Sequence, residues 1–245
     1  MVKIKKRFKL YLTAVNRYKR SKGFGIHSPF AFMFVLRVLR EQSAYYAYSD
    51  IQERRTIAAS LAHKVEGRRP KLISMKSARM LFRIACYFHP EVMMQIGTSY
   101  GVSTTALLDV SSSSRMLIYK GTDAHDVVYD EVTRRYSRRI EVCRSIDSAI
   151  DRYRAECRAA ETPSFILVNS IDDGNDAAMC ADALVDALAQ GGTVILRNLM
   201  RSQAMASLLA DVEARISHGM TFTNSRVAVI VGLRHLPRQR FSLWF

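Results

Sequence analysis

Two apolar rhythms divide this chain. In its first third the apolar residues fall at helical spacing: Phe8, Tyr11, Leu12 and Val15 occupy i, i+3, i+4 and i+7, one face of a helix. Phe30, Phe34, Leu36 and Val38 add apolar surface, and Gly23, Gly25 and Pro29 break it. Gly67-Arg68-Arg69-Pro70 reads as a linker. Residues 77–88 form a helix with Met80, Leu81, Ile84, Ala85 and Phe88 on one side, stopped by His89-Pro90. Beyond Pro90 short apolar runs alternate with helical stretches. Strands are expected at 92–96, 116–119, 140–143, 165–168 and 193–196. Helices are expected at 103–108, 126–135, 146–160, 177–189 and 203–216, with a closing hairpin of 221–223 and 227–231. Such alternation predicts βαβ units and a parallel sheet. The runs Ile166-Leu167-Val168 and Val194-Ile195-Leu196 fit central strands buried on both faces. The class is therefore α/β, with a helical extension over 1–70 and an α/β domain over 71–245.

Composition narrows this picture. The 245 residues are 49% hydrophobic, ample for a real core. Cys86, Cys143, Cys157 and Cys180 are scattered and read as reduced thiols of a cytoplasmic protein. No apolar run reaches the ~18 residues of a membrane span, and Lys9, Asn16 and Arg17 interrupt any signal-peptide core. The formal charge of +15 is concentrated at the start. No acidic residue precedes Glu41, while Lys3, Lys5, Lys6, Arg7, Lys9, Arg17, Lys19, Arg20 and Lys22 crowd the opening. Two readings of residues 1–22 stand. The helix docks its apolar face on its own domain with solvated charges outside, or it lies on an anionic membrane surface or a nucleic acid.

The chemistry concentrates at Gln95-Ile96-Gly97-Thr98-Ser99-Tyr100-Gly101-Val102-Ser103-Thr104, a strand, a glycine turn and a hydroxyl-rich helix start. Glycine tolerates φ > 0 and lets backbone approach a ligand. The following helix N-terminus offers unpaired N–H groups and partial positive charge. Nucleotide-like cofactors occupy such junctions in open α/β sheets; an ordinary strand-to-helix turn would have the same spacing, and Ser103 could simply cap the helix.

The chain resembles the class I S-adenosylmethionine-dependent methyltransferases, and more narrowly a bacterial methyltransferase-like group with a helical N-terminal region. The resemblance rests on Gly25-Ile26-His27-Ser28-Pro29-Phe30, Tyr45-Tyr46-Ala47-Tyr48-Ser49, the turn of Gln95 to Thr104, the 191–198 strand with its helix, and the tail ending in 241–245. It implies a Rossmann-like sheet of seven strands, the last antiparallel, flanked by helices. It implies S-adenosyl-L-methionine as cofactor and a small-molecule methyl acceptor. It places the cofactor near Gln95, Gly97, Thr98, Ser99, Gly101, Ser103, Thr104, Lys120 and Asn169, puts His27 in an N-terminal cover over the site, and leaves His27 and Asn198 as catalytic candidates.

The acidic positions of the family are exchanged here. Gln95 stands in the first strand, Lys120 where a carboxylate usually accepts from the ribose, Asn169 at the end of the fourth strand, and Arg197-Asn198 at the end of the fifth. Lysine offers donors only, and Arg197 occupies a place where Mg²⁺-dependent relatives hold the metal with oxygens. No metal site is expected. Asp172, Asp173 and Asp176 read as a loop leading to a helix N-terminus. Three functions remain: a metal-independent methyltransferase, a catalytically inactive scaffold using its basic surface, and a pocket turned to an anionic ligand by Lys120 and Arg197.

Overall fold

The computed structural model describes residues 17–67, 69–121, 125–171 and 173–245. The Phe8–Val15 face of the expected first helix lies outside them. Helix α1 spans Pro29–Phe34, with Ser28 as its N-cap and Pro29 opening it, and continues as a π-helical turn over Val35–Leu39. Helix α2 covers Ala47–Glu66 and ends on Gly67 in the left-handed conformation. Helix α3 covers Met75–Phe88; Ser74 caps it by accepting the Ser77 N–H at 3.2 Å, and left-handed His89 ends it.

The alternation follows: β1 (Val92–Ile96), α4 (Val102–Leu108), β2 (Arg115–Tyr119), α5 (Asp126–Thr133) with a 3-10 turn, β3 (Ile140–Cys143), α6 (Ile146–Ala160), β4 (Phe165–Val168), α7 (Gly174–Ala189), β5 (Thr193–Arg197) and α8 (Gln203–Arg215). Strands β6 (Met220–Thr223), β7 (Val227–Val231) and β8 (Gln239–Ser242) complete one sheet in the order β3-β2-β1-β4-β5-β7-β6-β8. The pairings from β3 through β5 are parallel, and β7 is antiparallel to both β5 and β6.

The expected seven strands are therefore eight, and the last is not the antiparallel one. The tail returns to pair β8 parallel to β6, seated by a Phe222–Phe241 stack with centroids 5.2 Å apart. The hydrophobic pattern missed β8 because Gln239 and Arg240 are exposed and Phe241 is its one apolar residue.

Period-two alternation sorts the central strands into two layers. Met94, Ile96, Ile166, Val168, Val194 and Leu196 pack under α6, α7 and α8. Met93, Leu167, Ile195, Val229 and Phe222 pack under α1, α3 and α4. The N-terminal helices pack on the same body: Phe34 lies 4.9 Å from the Phe222 ring, and in a separate cluster Ala58 and Ala62 of α2 pack with Tyr100, Val102, Val128 and Val132. Filling both faces of β1 and β4 this way holds the turn after β1 in one position.

Candidate functional site

The parallel strands end at one sheet edge. β1 lies between β2 and β4, so the turn after it falls where the strand order reverses. The ladder runs one step past the strands: Gly97 N–H donates to Tyr119 O at 2.9 Å, and Asn169 N–H to Ile96 O at 2.8 Å.

Gly97 and Gly101 have φ of +75° and +82°. Their close neighbours are protein, not open space. A Cβ on Gly97 would lie 2.5 Å from Ser170 Oγ, and one on Gly101 would lie 3.0 Å from Thr133 Cγ2. The glycines let the chain turn and pack; the residues between and after them (Thr98, Ser99, Tyr100, Val102 and Ser103) line a cleft of about 760 Å³.

Two buried amides hold the turn from below. Gln95 Nε2 donates to Gly97 O at 2.9 Å and to Ser103 Oγ at 3.3 Å. Asn169 Nδ2 donates to the same Gly97 O at 2.8 Å and the same Ser103 Oγ at 3.0 Å. Gln95 Oε1 accepts from Thr104 Oγ1 at 3.0 Å, and Asn169 Oδ1 accepts from Arg197 at 2.6 Å. Asn198, at φ +55°, donates its Nδ2 to Asn169 O at 3.0 Å. Both exchanged acids thus serve as donors to one carbonyl, which a carboxylate cannot do. Ser103 does not cap the helix: Gly101 is the N-cap, and the Ser103 hydroxyl is the shared acceptor of the two amides.

One wall of the cleft is the 69–73 segment, bringing Arg69 and Lys71; the other brings Arg197, Asn198 and Arg201. Beside the turn stands a constellation the spacing of residues does not reveal. His125 stacks on Tyr100 at 3.9 Å and 7° between planes. Glu66, at the end of α2, places Oε1 2.8 Å from His125 Nδ1 and accepts the Tyr100 hydroxyl on Oε2 at 3.1 Å. His125 Nε2 has no partner among the described residues, and both rings line the cleft. Glu66 arrives there only because Ala58 and Ala62 seat α2 against the turn. The linker reading of 67–70 hid this carboxylate and the two cations that follow it.

A smaller crevice of about 280 Å³ opens on the other side of the turn, among Ile96, Tyr119, Gly121, Ile146, Ser170 and Ile171. Burial, with help from the Asp173 and Asp147 charges, raises the Asp176 carboxyl at its rim above the ordinary value.

Two expected site residues are elsewhere. Lys120 lines neither space: its ammonium pairs with Asp126 at 2.7 Å and Asp130 at 3.2 Å and lies over the Tyr129 ring. Partial burial would lower this ammonium, but the two carboxylates outweigh it and hold it above the usual lysine value. Its charge is thus answered locally and does not face a ligand. His27 is exposed and does not line the cleft. Its neighbour Ser28 contacts Met220 Sδ, and Met220 and Thr193 both register with Val231, so this segment packs by the amino edge of the sheet rather than over the cleft. Thr104 is fully buried against Gln95. Among the described residues no three His, Cys, Asp or Glu side chains converge as metal ligands.

The fold is that of the class I S-adenosylmethionine-dependent methyltransferases. Solved structures similar to it include an O-methyltransferase from Bacillus cereus in complex with SAH, at 15% identity over 81% of this chain and 96% of that one, with a TM-score of 0.53. The O-methyltransferase TomG from Streptomyces achromogenes, of tomaymycin synthesis and in complex with SAM, matches at 14% identity over 77% and 91%, with a TM-score of 0.51. Cofactor-bound Rv0187 from MTB matches at 16% over 78% and 98%, with a TM-score of 0.51. No family model matches the chain, and no curated protein does. No helix among the described residues is long and apolar enough to cross a membrane.

Proposed function

We propose that this protein is a metal-independent S-adenosylmethionine-dependent methyltransferase acting on a small molecule. The observation that carries the reading is the braced imidazole. His125, with Glu66 at Nδ1 and a free Nε2, stands in an open cleft beside the turn at the sheet's switch point. The residues fit the cofactor in parts. The apolar side of the crevice, Ile96, Ile146 and Ile171, suits an adenine ring, and Thr98 and Ser99 offer polar groups in the cleft. Ribose recognition would rest on backbone groups, since Lys120 is turned away. The sulfonium finds no carboxylate on the cleft wall among the described residues, so an acceptor bearing negative charge would offset it and suit Arg69, Lys71 and Arg201.

When bound, the cofactor supplies an electrophilic methyl group. The rest is the work of this chain. His125 Nε2 takes the acceptor proton, and Glu66 steadies the imidazolium that forms, as a carboxylate beside a histidine does elsewhere. Tyr100 fixes the ring plane by stacking. Metal participation is disfavoured by the donors themselves, because the Asn169 oxygen is already engaged by Arg197 and Arg197 is a cation.

Calorimetry with S-adenosylmethionine and S-adenosylhomocysteine tests the cofactor; no heat at millimolar ligand removes the enzyme reading. Methyl transfer across a panel of phenolic acids then tests the base. His125→Gln is expected to keep S-adenosylhomocysteine affinity and lose about 10²–10⁴-fold in kcat. A second reading, a scaffold without catalysis, is favoured by the inward commitment of Gln95 and Asn169 and gains if no ligand binds.

A further inference from the structure

Arg17, Lys19, Arg20 and Lys22, the described cations of the chain's opening, do not line the cleft. Residues 17–21 are helical and pinned from one side. Arg17 Nε donates to Ser242 Oγ at 2.8 Å, Trp244 N–H donates to Ser21 Oγ at 2.6 Å, and Arg40 donates to Ser21 O at 2.7 Å. Arg17 and Ser21, one helical turn apart, face the body; Tyr18, Lys19, Arg20 and Lys22 are exposed.

Large apolar side chains are exposed with them. Phe24 is 66% exposed, Trp244 54% and Tyr18 48%. These groups lie on one short segment and its neighbours: Lys22 Nζ lies 4.6 Å from the Tyr18 ring centre, Gly23 abuts the half-exposed Phe32 ring, and Tyr18 and Trp244 flank one groove with Arg40, Lys76 and Arg79. Glu41 is the acid on that groove, its carboxylate occupied by Gln42 and Ser43. Exposed aromatics of this size have no folding reason to face water together; rimmed by cations they mark an interaction surface.

We propose that this face docks peripherally on an anionic lipid surface, with Phe24, Phe32 and Trp244 entering the interface and Lys19, Arg20 and Lys22 meeting lipid phosphates. Indole and phenol rings favour the headgroup boundary, and Lys and Arg add attraction to anionic lipid. Nucleic acid would reward the cations and flat rings, but Met33, next to Phe32 and 48% exposed, is aliphatic and gains only from hydrocarbon. The inference is independent of methyl transfer.

The test is co-sedimentation of the full chain with phosphatidylcholine vesicles, with and without phosphatidylserine. Binding is expected only with phosphatidylserine, weakening steeply with salt. Phe24→Ser with Trp244→Ser should weaken it at least about tenfold, since each ring gives up apolar burial. Circular dichroism and S-adenosylhomocysteine calorimetry should be unchanged. No sedimentation, equal sedimentation with phosphatidylcholine alone, or full binding by the double variant each overturns the proposal. So does tighter binding of a duplex DNA probe that competes with the vesicles, which would assign the face to nucleic acid.

Discussion

Replacing Gln95 by Glu puts in the acid that the resemblance implies at this position, and here it should be damaging. Gln95 is fully buried, and its Nε2 donates to Gly97 O at 2.9 Å and Ser103 Oγ at 3.3 Å. No hydrogen bond links it to a cation among the described residues; Arg197 donates to Asn169. A buried carboxyl with no cation beside it titrates upward, so remaining neutral costs roughly 3–4 kcal/mol near neutral pH. A protonated carboxyl keeps only one donor, so about 1 kcal/mol more is lost with the second hydrogen bond. The total is about 4–5 kcal/mol near pH 7, or a melting temperature lower by roughly 10 °C for a chain of this size. The sign follows from linkage. The folded variant holds a proton that the unfolded chain has released, so the penalty grows as pH rises and shrinks to about 2 kcal/mol near pH 5. Urea denaturation of both proteins at the two pH values measures it. Equal stability near neutral pH, or a penalty that does not change with pH, would refute the claim that the turn is held by amide donors.

Other perturbations probe the same framework. Gly97→Ala combines φ +75° with a Cβ 2.5 Å from Ser170 Oγ and should cost more than about 2 kcal/mol; adding Ser170→Ala should recover only part, because Ser170 backbone atoms remain at 3.0 Å. Asp109→Ala breaks the buried pair with Arg54 at 3.0 Å and the bond from Tyr136, and denaturation should show a loss of about 3–5 kcal/mol. Burial raises the Asp109 carboxyl above 3.8, more than Tyr136 and Arg54 lower it. The folded chain therefore takes up this proton at higher pH than the unfolded chain. Its contribution is fully present below 3.8 and falls as pH rises to the folded value, and Asp109→Asn should remove that slope from the stability–pH curve. Glu66→Gln should lower kcat while leaving S-adenosylhomocysteine affinity intact; a loss of both would make the residue a structural clamp only.

The sheet was legible because its signal is local. The run Ile166-Leu167-Val168 must be a strand buried on both faces, and β3, α6, β4 and β7 fall on the expected residues. β8 was not legible, since a lone apolar Phe241 carries no period and its stack on Phe222 depends on a return across the sheet. The turn after β1 was legible in place but not in orientation. Two glycines look the same whether they admit a ligand or a neighbouring backbone, and only the Ser170 and Thr133 contacts distinguish these. Glu66 and His125 lie on segments far apart in sequence, and helix packing through Ala58 and Ala62 joins them.

Loss of acids at the pocket reads from sequence as decay, and the geometry supports a different cause. A carboxylate under the turn accepts; it suits a site whose ligand donates. Here Gln95 and Asn169 both donate inward to Gly97 O, so the carbonyl is satisfied by protein and the turn is fixed without a ligand. Arg197 then needs an acceptor, and Asn169 Oδ1 supplies it at 2.6 Å. The three exchanged residues form one connected hydrogen-bond network through Gly97 O, Ser103 Oγ and Asn169 Oδ1. Such a turn is rigid before anything binds. On the proposed function, recognition would fall to the other lining residues: the stacked Tyr100 and His125, and the cations Arg69, Lys71 and Arg201. If the proposed function holds, a preorganised turn with cationic walls would select its ligand by the charge and shape of the acceptor more than by carboxylate contacts to the cofactor.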